Sequence, residues 1–390
     1  MYRIQTLNQI SVKGLERLPR EEYEVASDLG HPDAILLRSA ELEPGPGLDS
    51  VKAVARAGAG VNNVAVDAFT ERGVPVFNTP GANANAVKEL VLAALLLSSR
   101  GILEGIEWTR GLDINDADEM HATVEAEKKR FKGRELQDKV LGIVGLGAIG
   151  SRVAEAAMNL GMTVVGYDPA LSVEAAWRLP NRVERMENLQ ALFARSDYVT
   201  LHLPLLEATR GMVNEEALSN VKAGSRLLNF SREGIVDDQA AVAALREGRL
   251  ERYLTDFPSP LLQGEPGVVA TPHLGASTAE SEENCAIMAA DQLRDFLENG
   301  NITNAVNFPP LILERTGGYR IAVTNRNVPR MLGHVLSVLA DADINVVDML
   351  NKSRDDIAYN LLDLEARPDE NVMAALGQIE GVINVRSVDA

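Results

Sequence analysis

One cysteine, Cys285, stands in a chain of 390 residues. No disulfide can form within the chain, which fits a reducing cytosol, and a small buried hydrophobe is the simplest role for that side chain. Aromatic residues are scarce at 4%, so the cores must be built from Val, Leu, Ile and Ala. Only five histidines are present, and no cluster of residues suggests a metal site. Basic residues are outnumbered, 38 against 56 acidic, for a net charge of -18. Such a surface repels polyanions, which argues against nucleic acid and anionic membranes as partners. Long apolar runs are missing too: Leu90 to Leu97 is far too short to span a bilayer. No basic segment followed by an apolar one opens the chain, so no secretory signal is expected. What remains is ordinary globular composition, 46% hydrophobic and 24% charged, with length for two to three domains.

Short apolar runs at 34–37, 51–55 and 74–77, bounded by turn residues, read as buried parallel strands. Asn78-Thr79-Pro80-Gly81 breaks the chain before an Ala/Leu-rich helix from Ala84 to about Arg100. After a polar stretch, 113–139, a second α/β unit opens with a strand over 140–144, a helix over 149–160 and a strand over 163–167. Further strands are expected at 198–201, 226–230 and 268–270, and a long helix from about Ala279 to Glu298 stops at Asn299-Gly300. Asn307-Phe308-Pro309-Pro310 and Thr316-Gly317-Gly318 read as a linker. Beyond it the pattern strand, helix, two strands, helix, strand predicts a ferredoxin-like unit.

Gly145-Leu146-Gly147-Ala148-Ile149-Gly150 follows an apolar strand and opens a helix. In that context the three glycines serve a tight turn, close approach of a pyrophosphate and helix–strand packing. Ala148 and Ile149 stand at the turn into the helix, whose N-terminus would face the phosphates. Asp168 ends the next strand, placed for the adenosine ribose hydroxyls and repelling a 2′-phosphate, so NAD is favoured over NADP.

Oxidising a hydroxy acid with NAD needs a base for the hydroxyl proton and a cation for the carboxylate. Arg232, after Asn229-Phe230-Ser231, and His273, in Thr271-Pro272-His273-Leu274-Gly275, follow predicted strands, where α/β sheets place ligand groups. Singly, either could be structural. As an ordered set they carry a resemblance, from about Leu36 to the C-terminus. It runs through Leu37-Arg38-Ser39, Arg56-Ala57-Gly58-Ala59-Gly60-Val61-Asn62-Asn63 and Asn78-Thr79-Pro80-Gly81-Ala82-Asn83-Ala84, then the glycine motif. His202-Leu203-Pro204-Leu205, Arg232, Asp256-Phe257-Pro258 and Thr271-Pro272-His273 complete it. The chain resembles the D-2-hydroxyacid dehydrogenase family, and within it the branch that oxidises 3-phosphoglycerate.

The resemblance implies that Arg232 binds the substrate carboxylate and that His273 exchanges the hydroxyl proton. It places His202, Pro204 and Asp256 at the cofactor, Asp256 near the nicotinamide carboxamide. The Gly58-Ala59-Gly60 backbone would receive the substrate carboxylate, and Arg38 and Arg56, with Ser39 beside them, the phosphate. One departure stands out: the family usually has a glutamate soon after the position of Asp256 to pair with the histidine, and none stands there. Glu265 comes later, with a solvated charge as its simplest role.

The last segment resembles an ACT domain, a small-ligand sensor. The resemblance implies an L-serine site using Asn325, Asn327 and Asn345, but Arg330 replaces the glycine that usually follows the proline of that loop; a purely oligomerising domain is the alternative. The implied fold is α/β: a flavodoxin-like substrate domain (1–92 and 279–314), a Rossmann-type NAD domain inserted in it (93–278), and a ferredoxin-like ACT domain (318–390), with catalysis in the cleft between the first two. A homodimer or homotetramer is expected. The implied reaction is NAD-dependent oxidation of 3-phospho-D-glycerate, the entry to serine biosynthesis; the alternatives are a glyoxylate or hydroxypyruvate reductase and an NAD-binding regulatory protein without catalysis.

Overall fold

The computed structural model describes residues 1–316 and 318–388, with Glu174 described by its backbone alone. Gly317, in the expected linker, and Asp389 and Ala390, at the end of the expected last domain, lie outside the described residues. The chain divides into two compact units, Met1–Asn83 with Ala279–Ala390, and Ala84–Thr278. Among the described residues no helix is long and apolar enough to cross a membrane.

The first unit opens with five parallel strands, β1 (Tyr2–Leu7), β2 (Tyr23–Ala26), β3 (Ala34–Leu37), β4 (Ala53–Arg56) and β5 (Val76–Phe77). Their order is β2-β1-β3-β4-β5, the flavodoxin-like arrangement. The chain reverses direction across the sheet between β1 and β3, and the ends of those strands form the crevice where such sheets bind ligands. Strand β3 is buried at all four positions, which is why it reads as an unbroken apolar run. β4 extends to Arg56, one residue past the expected end, so that arginine closes the strand beside Leu37 of β3. The Ala279–Asn299 helix packs Cys285, Ala286, Ala289, Ala290, Leu293, Phe296 and Leu297 into this core.

The second unit holds a seven-stranded parallel sheet: β6 (Val140–Val144), β7 (Thr163–Tyr167), β8 (Glu184–Arg185), β9 (Tyr198–Leu201), β10 (Ser225–Asn229), β11 (Leu250–Thr255) and β12 (Val268–Ala270). Its order, β12-β11-β10-β9-β6-β7-β8, is the Rossmann arrangement with the switch between β6 and β9. β11 has no counterpart among the expected strands. Its Glu251 and Arg252 interrupt the apolar pattern, yet both are ion-paired, to Arg226 and Arg134 and to Glu104.

The C-terminal part of the first unit is an antiparallel sheet, β13 (Tyr319–Arg326), β14 (Val346–Arg354), β15 (Ile357–Leu364) and β16 (Val382–Val388), ordered β14-β15-β13-β16 with helices Met331–Asp341 and Glu370–Gly377. This is the ferredoxin-like ACT topology. Alternate residues of β15 face opposite ways: Leu362 and Leu364 join Val335, Leu339 and Leu376 under the helices, whereas Tyr359 and Leu361 enter the core around Phe296 and Phe308. Both faces of the sheet are therefore covered within this unit. Arg320 and Asp363, each 1% exposed, pair at 2.5 Å in it, and the guanidinium also donates to the carbonyls of Asn299, Leu313 and Glu314.

Candidate active site

At the turn after β6, Gly145 has φ +91°, and a Cβ there would lie 2.4 Å from the His202 carbonyl oxygen. A Cβ on Gly150 would lie 2.0 Å from the Gly145 oxygen, so the Ala148–Asn159 helix reaches the strand only because both positions are bare. Gly147 differs: nothing lies within 4 Å of its missing Cβ, and no side chain caps the helix that it opens. A helix N-terminus with free space beside it is an anion site. Asp168 follows β7 and accepts the N–H of Leu146 at 2.9 Å and of Ala170 at 3.0 Å, which ties its carboxylate to the glycine loop.

His202 follows β9, and its Nε2 meets Thr200 Oγ1 at 3.0 Å while Nδ1 is buried without a partner. Burial pushes the ring's pKa down to about 3, so the imidazole is neutral. Pro204 is exposed, and its carbonyl accepts the Thr209 hydroxyl at 2.7 Å.

Arg232 lies in the loop after β10. Asn229 organises that loop: its Nδ2 donates to the Arg232 carbonyl at 3.0 Å, and its Oδ1 accepts from the Ser231 N–H and hydroxyl. The guanidinium is partly buried, donates to the Ser231 carbonyl at 2.7 Å, and makes no ion pair among the described residues. Burial lowers its pKa, yet a guanidinium remains charged, so it presents partly desolvated donors of the kind that suit a carboxylate.

Asp256, 1% exposed, is at the root of the His273 loop. Its Oδ1 accepts the Thr271 hydroxyl at 2.6 Å and the Leu274 N–H at 2.7 Å, and its Oδ2 accepts the Gly275 N–H at 2.6 Å. The His273 N–H donates to the Asp256 carbonyl at 3.1 Å. Between these anchors His273 adopts φ +56°, a left-handed conformation unusual for a residue with a side chain. Its imidazole is exposed and meets the Phe257 ring edge-on, centroids 5.1 Å apart. Glu265 is engaged elsewhere, bonded by both oxygens to Arg246 at 2.7 and 3.1 Å. No acid is bonded to His273 among the described residues.

In the first unit, Arg38 and Arg56 stand at the C-terminal ends of β3 and β4. Asn8 Oδ1, at the end of β1, accepts the N–H groups of Ser39 and Ala40 and shapes the turn after Arg38. The Arg56 guanidinium donates to the carbonyls of Arg38 and Gly60 and lies where a Cβ on Gly58 would be, 2.4 Å from it. The Asn78 amide holds the Ala59 carbonyl at 2.7 Å, and the Thr79 N–H holds that of Gly58 at 3.1 Å. The carbonyls of 58–60 are thus occupied, while the N–H groups of Ala59 and Gly60 have no acceptor among the described residues.

A model of the "D-isomer specific 2-hydroxyacid dehydrogenase, NAD binding domain" matches residues 92–275. D-3-phosphoglycerate dehydrogenase of Escherichia coli strain K12 is 33% identical over 342 residues, 84% of this chain and 79% of that protein. The chain belongs to the D-isomer specific 2-hydroxyacid dehydrogenases. D-3-phosphoglycerate dehydrogenase of Methanocaldococcus jannaschii is 33% identical over 77% of this chain, and the chain spans only 56% of that longer relative. A solved structure, NAD+-bound 3-phosphoglycerate dehydrogenase of Entamoeba histolytica, matches with TM-score 0.62 and 27% identity over 78% of this chain and 98% of that one.

The seven-stranded unit is thus the dehydrogenase family's NAD-binding domain, and its residues fit that cofactor. Gly147 leaves room for a pyrophosphate, the uncapped helix supplies N–H donors, and the Asp168 carboxylate beside the glycine loop would repel a third phosphate. Asp256, which the resemblance sets near the nicotinamide carboxamide, has both oxygens on the 271–275 loop. Reading the sequence missed that, and also missed Asn229 and Asn8 as organisers of the Arg232 and Arg38 loops. Each stands at a strand's end, but nothing local reveals which N–H groups it will meet. The effector candidates are not gathered: Asn325 is buried with its amide bonded to Asn360 and the Arg326 carbonyl, Asn327 holds the Asp355 carbonyl, and Asn345 is exposed. Arg330 takes φ +75°, the conformation for which glycine is suited.

Proposed function

We propose that the chain oxidises 3-phospho-D-glycerate to 3-phosphohydroxypyruvate with NAD, the first step of phosphorylated L-serine synthesis, in the cytosol. Bound NAD supplies the hydride acceptor. The two guanidinium groups at neighbouring strand ends, Arg38 and Arg56, carry the substrate assignment: they offer a phosphate the local positive charge that a chain of net charge -18 otherwise lacks. In this reading the Arg232 fork holds the carboxylate and polarises the C2 oxygen. The His273 imidazole takes the C2 hydroxyl proton as the C2 hydride departs, and returns it in reduction. Asp256 keeps the loop in its left-handed shape, so that His273 works without a carboxylate partner.

We assign the substrate role to residues 1–83 with the 279–299 helix, and a structural role to the ACT-like sheet, because Asn325 is internally bonded and Arg330 stands where the expected ligand loop needs a glycine. We also expect a homodimer or homotetramer. Helices Ile102–Arg110 and Ala117–Glu127 bury none of their residues, and a groove of about 420 Å³ beside them is lined by Ile102, Ile106, Trp108, Val124 and Phe131.

The deciding experiment is NADH formation from 3-phosphoglycerate, with D-glycerate and D-lactate as controls and L-serine present or absent. Turnover confined to the phosphorylated acid and indifferent to L-serine is expected. Turnover of the unphosphorylated acids alone points to another dehydrogenase of the family, and NAD binding without turnover to a regulatory protein.

A further inference from the structure

Arg38 and Arg56 sit side by side but are held differently. Arg56 is fixed by two backbone carbonyls. The Arg38 guanidinium has a single hydrogen-bonding partner among the described residues: Glu282, whose Oε1 accepts from its Nη2 at 2.7 Å. The pair is half-exposed, 41% and 43% for the two side chains, so it adds little to stability and exchanges readily with another anion. Glu282 lies in the first turn of the Ala279–Asn299 helix, where the helix N-terminus stabilises a carboxylate without help from Arg38. Through this contact the Arg38 guanidinium lies against the N-terminal end of the helix.

Resting on the phosphate role proposed for Arg38, we infer that Glu282 is an internal competitor for that guanidinium, occupying it until a substrate phosphate displaces it. A phosphate dianion offers more charge and more oxygens to a guanidinium than a carboxylate does. The resident carboxylate therefore keeps weak anions off Arg38, at the cost of a higher KM for the phosphorylated acid. An unphosphorylated acid gains nothing from Arg38, and its binding does not depend on Glu282. Glu282 thus sets the affinity and selectivity of the anion site without touching the reacting atoms.

The test uses the full chain with Glu282→Gln, and Asp291→Asn as control, since Asp291 is on the same helix and pairs with Arg17 instead. Two readouts are taken: KM and kcat for 3-phosphoglycerate, and the dissociation constant for inorganic phosphate by equilibrium dialysis. In Glu282→Gln both KM and the phosphate constant should fall, on the order of threefold to tenfold, the range of a partly screened charge–charge contact. The change should appear in KM and not in kcat, spare D-glycerate, be absent in Asp291→Asn, and vanish when Arg38→Gln is combined with Glu282→Gln. Unchanged constants would make the pair a surface ion pair only, and higher ones would make Glu282 a support that aims Arg38; either overturns the inference. If the wild-type chain does not turn over 3-phosphoglycerate, the proposed function fails, while the phosphate measurement still reports whether Glu282 guards Arg38.

Discussion

His273 and Glu265 belong to one stretch of chain, yet the fold sends their side chains to different partners. Glu265 has both oxygens on Arg246, which lowers its pKa. Glu265→Gln should leave kcat within about twofold, whereas His273→Asn should lower it on the order of 10² to 10⁴, the usual contribution of a general base. Steady-state kinetics at 340 nm decide it, and a hundredfold loss in Glu265→Gln would make that glutamate the missing partner. Asp256 is the more consequential carboxylate. Asp256→Asn puts an amide donor among groups that are themselves donors, Thr271, Leu274 and Gly275, and should cost about 1–3 kcal/mol through an unmet buried group. Hydrogen exchange at 271–275 should accelerate and kcat should fall; a loop as protected as before would show that Asp256 does not hold it.

The strand–glycine loop–helix element makes a different demand. It buries the His202 ring as a neutral group, with its pKa pushed down to about 3 from 6.5. Between those values the unfolded chain binds a proton that the folded one refuses. Stability is therefore complete above pH 6.5 and declines as pH falls toward 3, by up to about 1.4 kcal/mol per pH unit from this group. Urea unfolding at pH 7 and pH 4.5 should show a shallower acid loss in His202→Gln than in the wild type, both without NAD. Equal slopes would mean that the ring is solvated after all. The same element was the most legible part of the sequence. Its glycines, helix and acidic strand end obey local steric rules, and the structure moves the helix by a single residue, to Ala148–Asn159. β11 was illegible for the opposite reason: Glu251 and Arg252 look like surface residues until distant partners neutralise them.

At the scale of the whole molecule, the ACT-like sheet is fastened into the first unit by polar anchors as well as by its apolar face. Tyr359 donates to the Gly300 carbonyl, Arg386 to that of Phe296, Asn384 to that of Gly73, and Arg320 to three more beyond its pair with Asp363. Asp363→Asn leaves a buried guanidinium without its counter-ion and should destabilise this unit by about 3–5 kcal/mol, while Arg320→Met with Asp363→Leu should cost much less. Chemical denaturation of the full chain checks both. A single variant as stable as the wild type would show that the pair does not anchor the sheet.

By itself the sequence determined what depends on neighbours in the chain: the alternation of strands and helices, the nucleotide-binding turn, and the strand-end motifs that carry Arg232 and His273. Tertiary structure alone decided whom those side chains meet. Arg38 finds Glu282 across 244 residues, and Arg320 finds Asp363 across 43. Glycine spacing is legible because steric limits on a turn act within a few bonds. Partners are not, because a carboxylate's chemistry is the same whether it serves a ligand, a loop or an arginine, and only packing selects among them.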